Sequence, residues 1–140
     1  NYPKNYLEKV VGLEQGRLKN LSDIGQSVIY FFKEPEYNPT LLKWKDVKNE
    51  TLSQNLQKLS LFIQTLKIEE FVLKNLEDKI KKFLEENKIS TGEALWPLRV
   101  ALTGLKASPG PFEILETLAV LPNGKEVILK RINKAVELLF

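Results

Sequence analysis

The sequence contains no cysteine, no histidine and no methionine. Without cysteine there can be no disulfide and no thiolate metal site. Without histidine the chain lacks the most common general acid–base group and the most common metal ligand. It also has no glycine-rich phosphate-binding motif. These absences argue against an independent hydrolase or transferase, and we expect no catalytic residue, no bound cofactor and no metal in this chain.

Long apolar runs are missing as well. The longest apolar cluster, residues 28–32, is much shorter than the roughly 18 residues that indicate a membrane helix, and no apolar signal core stands at the N-terminus. We therefore expect no membrane partner. The absence of cysteine indicates a reducing, cytoplasmic compartment, and we expect the chain to act as a monomer. A translated chain starts with methionine, so the lack of methionine favours a processed chain or, as we prefer, a piece of a longer protein.

Lysine carries nearly all of the positive charge. The net charge of +3 and the pI of about 9.0 are compatible with a nucleic-acid partner. Only three of the 21 basic residues are arginine, namely Arg17, Arg99 and Arg131. In such a chain the arginines mark the positions that most need a planar, forked donor. We expect Arg131, in the last amphipathic helix, to be a solvated surface residue.

Apolar residues recur at helical spacing almost throughout, and few stretches alternate with a period of two. The sequence therefore predicts an all-α fold. We expect the lysines at 79, 81 and 82 to be solvated helix surface, with phosphate contact as a minor alternative. The break at residues 87–90 predicts two small helical subdomains, residues 1–88 and 89–140. The predicted helical segments are about 6–16, 21–32, 41–44, 50–66, 69–86, 91–103, 111–121 and 127–139.

The clearest local signals surround the helix predicted at 91–103. Ser90 and Glu93 form a capping box, and Gly104 is placed to end the helix. Pro97 lies inside it and removes the amide that would bond to the Glu93 carbonyl, so we expect a kink or a distorted turn. We expect Trp96, beside this proline, to pack in the core rather than to form a platform for bases.

Motifs in this region resemble a known family. Residues 97–104 read Pro-Leu-Arg-Val-Ala-Leu-Thr-Gly, a Ser-Pro-Gly loop follows at 108–110, and residues 112–115 read Phe-Glu-Ile-Leu. This series resembles the C-terminal, anticodon-binding end of bacterial-type, class I glutamyl-tRNA synthetases. Residues 13–24 are similar to the helix of that family that ends in an arginine. The resemblance covers most of the chain.

The resemblance implies a fold and a function. It implies an all-α helical cage, made of two small subdomains, that binds the anticodon loop of glutamate tRNA and not DNA. The parent would be a glutamate–tRNA ligase, which attaches glutamate to its tRNA using ATP with Mg²⁺. The catalytic domain that binds ATP would lie outside this chain, so the chain itself would not catalyse aminoacylation.

The resemblance also implies roles for six residues. Arg17 would read the third anticodon base, where glutamate and glutamine anticodons carry C and G, and Arg99 would contact the first base. The loop of Ser108, Pro109, Gly110 and Pro111 would lie against the splayed bases. The residues themselves leave alternatives open, because Arg17 could simply favour the dipole at a helix C-terminus and Arg99 could be a structural ion-pair partner.

A different class of function competes with this interpretation. An all-helical chain without catalytic residues could be a protein-interaction bundle with no RNA role. That hypothesis predicts an exposed apolar groove and partner binding that salt does not weaken. The tRNA hypothesis predicts binding that weakens as salt rises.

Overall fold

The computed structural model describes residues 2–15 and 28–139, and in these ranges the chain is helical with no β-strand. The all-α prediction is confirmed. The predicted helix at 21–32 lies mostly outside the described residues. The α-helices of the described ranges are α1 (Lys4–Gln15), α2 (Asn49–Thr65), α3 (Leu73–Glu86), α4 (Thr91–Thr103), α5 (Pro111–Leu118) and α6 (Gly124–Leu138). Three short 3₁₀ turns also lie in these ranges, at Ile29–Phe31, Pro39–Leu42 and Ile68–Glu70.

The start of α3 differs from the prediction, which placed it near residue 69. A 3₁₀ turn comes first, in which the Glu70 carboxylate accepts from the Lys67 amide at 2.8 Å and pairs with Lys79. This pairing lowers the pKa of Glu70. The α-helix begins only at Leu73, whose amide donates to the Glu116 carboxylate of α5 at 2.8 Å. A tertiary contact, which local sequence does not encode, therefore sets this boundary.

The hydrophobic core lies between α2, α4 and α6, which pack against one another, and α5 packs on α1, α3, α4 and α6. Because α2 precedes residue 88 and the other two central helices follow it, both predicted subdomains contribute to this core. The division into residues 1–88 and 89–140 stays a prediction. In the described ranges no helix is both long and apolar enough to cross a bilayer.

The prediction for Arg131 is wrong. Its exposed fraction is only 6%, and its guanidinium donates to the Leu102 carbonyl at 2.8 Å and to the Lys33 carbonyl at 3.4 Å. The Leu102 carbonyl is in the last turn of α4, where carbonyls lack partners within the helix. Arg131 therefore faces the end of a neighbouring helix rather than solvent.

The lysines of α3 were predicted to be solvated surface. Lys81 and Lys82 are exposed, as predicted, and the Lys79 side chain is 43% exposed.

The predicted limits of α4 are confirmed. Ser90 and Glu93 exchange the two hydrogen bonds of a capping box, at 3.0 and 3.4 Å, and the helix continues through Pro97. Gly104 ends it with a φ of 70°, in the left-handed region that favours glycine. A Cβ atom at this position would approach the Pro35 side chain to 2.9 Å. The glycine thus allows both the turn and the close packing of the segment around Pro35.

Stability at alkaline pH should depend on Tyr37. Its buried hydroxyl has no hydrogen-bond partner among the described residues, and burial raises the pKa of Tyr37 to about 12. The phenol of the unfolded chain titrates near pH 10. The contribution of neutral Tyr37 to the free energy of unfolding is therefore complete below about pH 10 and is lost as pH rises towards 12. We expect Tyr37→Phe to melt higher at pH 7, since it removes an unsatisfied polar group, and to lose less stability above pH 10. Thermal melts from pH 7 to 11.5 test this, and identical alkaline slopes for both proteins would contradict it.

Candidate functional site

Arg99, in the middle of α4, is bound to the loop that follows the helix. Its Nη1 donates to the Leu105 carbonyl at 3.2 Å and to Ser108 Oγ at 2.8 Å, and its Nη2 donates to the Lys106 carbonyl at 2.8 Å. The forked guanidinium thus contacts three successive parts of residues 105–108. A single planar group with several fixed donors can do this, whereas an ammonium presents no planar fork.

The same guanidinium lies over the ring of Trp96, which packs against Trp44. Its Cζ lies 4.7 Å from the Trp96 ring centroid, and the Trp96 ring lies 5.8 Å from that of Trp44. Lys45 Nζ is 5.1 Å from the Trp44 centroid. We call Lys45, Trp44, Trp96 and Arg99 the tryptophan row. It combines two indole rings with two cations, and all but exposed Lys45 are half-buried.

Local structure explains how Trp44 reaches Trp96. The 3₁₀ turn Pro39–Leu42 is capped by the Asn38 side chain, which accepts from the Thr40 amide at 3.0 Å. The Trp96 indole N–H donates to the Leu41 carbonyl of this turn at 2.9 Å. Gly92 then gives Trp44 room, because a Cβ at position 92 would lie 2.4 Å from the Trp44 ring. The row therefore depends on a glycine in the first turn of α4.

The loop between α4 and α5 is ordered by its own side chains. Thr103 Oγ1 donates to the Arg99 carbonyl at 2.9 Å and accepts from the Leu105 amide at 3.1 Å. Ser108 Oγ donates to the Pro109 carbonyl at 2.9 Å. Gly110 and Pro111 then start α5, with the proline at a first-turn position, where a missing amide costs nothing.

The structure brings five of the six predicted site residues together. Ser108 touches Arg99, and Pro109, Gly110 and Pro111 follow it directly, although Pro109 itself is buried. Arg17 lies outside the described residues. The hydrogen-bond partners of Arg99 given above are two carbonyls and a hydroxyl of the loop, so Arg99 holds the loop in place. The base-reading roles of all six residues stay predictions.

The row includes residues that sequence reasoning missed. Trp44 and Lys45 were not among the predicted site residues. Trp96, predicted to pack in the core, is partly buried against it and also belongs to the row. One signal was available: the chain has only two tryptophans, and they meet in this row. The charge pattern Lys43-Trp44-Lys45 also places cations beside an aromatic ring, which is typical of surfaces that bind nucleic acid.

The site combines cations, indole rings and an ordered loop. The described part of the chain has no group of three or more side chains that could hold a metal ion. Cations, indole faces and an ordered loop next to them can stack on bases and attract phosphates. The fold and the site together define an all-helical module suited to single-stranded nucleic acid.

The chain belongs to a family whose description is "Anticodon binding domain", since residues 2–136 match the model of that family. Membership in this family implies a tRNA partner. The predicted resemblance to glutamyl-tRNA synthetases is confirmed, because similar proteins are glutamate–tRNA ligases.

Two curated relatives and one solved structure illustrate the similarity. The chain is 33% identical over 141 residues to glutamate–tRNA ligase 2 of Thermoanaerobacter pseudethanolicus, covering 99% of the chain and 28% of the ligase. It is 33% identical over 140 residues to glutamate–tRNA ligase 1 of Caldanaerobacter subterraneus subsp. tengcongensis, covering 99% and 27%. A glutamate tRNA ligase from Elizabethkingia meningosepticum, crystallised in complex with its amino acid, superposes with a TM-score of 0.78 at 26% identity, covering 100% of this chain and 26% of that one. The chain therefore spans little more than a quarter of these proteins, in their C-terminal region.

Proposed function

We propose that this chain is the tRNA anticodon-recognition region of a glutamate–tRNA ligase and that it binds the anticodon loop of glutamate tRNA. The chain does not catalyse a reaction itself. In the parent protein a separate catalytic domain binds ATP with Mg²⁺ and joins glutamate to the tRNA. The parent is cytoplasmic and the chain acts as a monomer.

The tryptophan row beside the Ser108–Pro111 loop is the observation that carries this proposal. Bases in a single-stranded loop are recognised by stacking on aromatic rings or guanidinium planes and by hydrogen bonds to their edges. The row offers a guanidinium plane that lies over an indole ring, and the hydrogen bonds of Arg99 to the ordered loop fix its orientation. Lys43, Lys45 and Lys106 are exposed around it and can contact phosphates.

Each predicted residue then has a defined role in the proposal. Arg99 contacts the first anticodon base from its place above Trp96, and residues 108–111 lie against the splayed bases. Arg17 reads the third base, which is C in glutamate anticodons and G in glutamine anticodons. Arginine can stack and can donate two parallel hydrogen bonds. Because Nη1 and Nη2 of Arg99 already donate to the loop, Arg99 contacts its base by stacking, whereas Arg17 reads a base edge with its fork.

One observation favours the protein-interaction alternative. Leu7 and Val11, one turn apart on α1, are 42% and 56% exposed. A helix partner could cover such a face. That binding would be driven by apolar contact and would resist salt, which separates the two functions experimentally.

Titration with RNA tests the proposed function. We expect the chain to bind a glutamate tRNA anticodon stem–loop weakly at low salt, and the logarithm of the affinity should fall linearly with the logarithm of the salt concentration. A hairpin with the same stem and a scrambled loop is the matched control and should bind more weakly. No binding to either hairpin at low salt, or equal binding to both, would overturn the proposal.

A further inference from the structure

Two lysines have a positive backbone φ, a conformation that is uncommon for residues other than glycine. Lys45 has a φ of 50° and Lys88 has a φ of 57°. In the ranges that the structure describes, these are the two residues other than glycine in this left-handed region. There the Cβ atom of an L-residue crowds the following carbonyl oxygen, so the conformation is unfavourable for a lysine and easy for a glycine.

Lys88 stands at a position where helices usually have glycine. It follows α3 in a Schellman motif. The Lys88 amide donates to the Glu85 carbonyl at 3.1 Å, and the next amide, of Ile89, donates to the Leu84 carbonyl at 2.9 Å. The end of α4 shows the usual solution, because Gly104 takes the left-handed position there. The Lys88 side chain therefore costs stability that glycine would not.

Lys45 is the second residue of a tight turn at the outer end of the tryptophan row. The Val47 amide donates to the Trp44 carbonyl at 3.1 Å and closes this turn. A positive φ at the second position is typical of turn types dominated by glycine, asparagine and aspartate. Here the turn places Lys45 Nζ 5.1 Å from the Trp44 ring centroid. Glycine would relieve the backbone but would remove this cation.

Both lysines lie near the Trp44 end of the row. Lys45 directly follows Trp44, and Lys88 comes four residues before Gly92, whose missing side chain gives the Trp44 ring room. Four residues span at most roughly 14 Å, so the Cα atoms of Lys88 and Gly92 lie within that distance. The two unfavourable backbone positions thus belong to the same edge of the molecule.

The charges of both lysines are open to an anion. Both side chains are exposed. In the described part of the chain the ion pairs with carboxylates involve other lysines, namely Lys9, Lys79, Lys81 and Lys130. When a base stacks on a planar side chain, the phosphates beside it need cations close by. Backbone strain that a glycine would remove is typical of functional positions.

We propose that Lys45 and Lys88 are phosphate-binding residues of the RNA site. The chain keeps lysine at two positions suited to glycine because these cations hold the RNA backbone beside the base that stacks on the row. This inference rests on the proposed function and extends it from the anticodon bases to the phosphates next to them.

Substitutions of Lys88 separate its charge from its backbone conformation. Lys88→Gln removes the charge and keeps a side chain in the left-handed region, Lys88→Gly removes both, and Lys88→Arg removes neither. Affinity for the glutamate anticodon stem–loop is measured over a range of salt concentrations. The slope of log affinity against log salt should become shallower by about 0.7 to 0.9 in Lys88→Gln and Lys88→Gly, the contribution of one phosphate contact, and stay unchanged in Lys88→Arg. Lys45→Gln should behave like Lys88→Gln.

The stability of these variants should change in the opposite direction from their binding. Lys88→Gly relieves the left-handed lysine, so its melting temperature should rise on the order of 3 °C although it binds RNA less well. Lys88→Gln should melt like the wild type. Higher stability together with weaker binding is the result expected of a lysine that is kept for its charge.

Lys74→Gln is the matched control for the loss of charge. Lys74 is an exposed lysine of the same helix, in the first turn of α3. At 1.5 Å per residue the helix is about 20 Å long, so Lys74 lies far from the end that Lys88 follows. Its substitution removes the same charge and should leave the salt slope unchanged.

The outcomes separate the inference from the proposed function. If the wild-type chain binds the hairpin and the double variant Lys45→Gln, Lys88→Gln keeps the wild-type salt slope, the inference is wrong. An equal change of slope in Lys74→Gln and Lys88→Gln would also overturn it. If the wild-type chain binds the scrambled-loop hairpin as tightly as the glutamate hairpin, the proposed function fails, but the slopes still decide whether these lysines bind phosphates. No binding of the wild-type chain to either hairpin at low salt would overturn both.

Discussion

Replacing Arg99 by lysine should lower the affinity of the chain for the glutamate anticodon stem–loop by about 10- to 100-fold while the helix content stays unchanged. This corresponds to roughly 1–3 kcal/mol, the scale of stacking one base on a planar side chain. Lysine keeps the charge, so attraction to phosphate is preserved. It has no planar face to stack on Trp96 and cannot replace the contacts to Leu105, Lys106 and Ser108 together.

A graded series separates the roles of this arginine. Ser108→Ala removes one acceptor from Nη1 and should reduce affinity only a few-fold, consistent with one hydrogen bond of about 1 kcal/mol. Arg99→Ala should reduce the preference at the first anticodon base and leave the preference at the third base largely intact. Calorimetric titrations of all three variants, after circular dichroism has shown each to be folded, measure these effects. Wild-type affinity in Arg99→Lys would show that charge alone accounts for the contribution of Arg99.

Replacing Gly124 by alanine should have the largest effect on stability. A Cβ atom there would lie 2.2 Å from the Leu118 carbonyl oxygen and 2.7 Å from Ala119 Cα. Both atoms belong to backbone, so no flexible side chain can move aside. Overpacking of this kind costs about 1–3 kcal/mol and occasionally more, and we expect a loss near the upper end, with a fall in melting temperature on the order of 10 °C.

Gly12→Ala is the matched control for this prediction. Gly12 lies inside α1, and a Cβ atom at this position would meet nothing within 4 Å. Alanine is the better helix former by roughly 0.5–1 kcal/mol, so this variant should melt slightly higher than the wild type. Thermal melts of the two variants under the same conditions check the pair. Similar melting temperatures for Gly124→Ala and the wild type would mean that the junction between α5 and α6 can widen without cost.

The features predicted most accurately were those whose causes are local in sequence. Ser90, Glu93 and Gly104 mark the limits of α4 because a capping box and a left-handed glycine act within a few residues. Leu76, Ile80 and Leu84, at helical spacing, likewise mark the buried face of α3, whereas Val72, which precedes the helix, is exposed. The start of α3 was misplaced because Glu116, which caps it, is 43 residues away in the sequence.

The candidate site could be predicted only in part for the same reason. Residues 108–111 and Arg99 belong to one continuous stretch, so the motif predicted their proximity. Trp44 reaches this stretch through tertiary packing against Gly92, which no pattern near residue 44 encodes. Arg131 was mistaken for a surface residue because helical periodicity treats a charge as solvent-facing, whereas here its partners are carbonyls of two other segments.

An NMR titration of the ¹⁵N-labelled chain with the glutamate anticodon stem–loop tests the central claim most directly. The account predicts that the largest shifts fall on the Trp44 and Trp96 indole N–H groups, the Arg99 guanidinium and the amides of residues 105–108 and 110. It also predicts that these shifts diminish as salt is raised. Shifts confined to the exposed face of α1 around Leu7 and Val11, or no shifts at saturating RNA and low salt, would contradict the claim that this chain reads an anticodon.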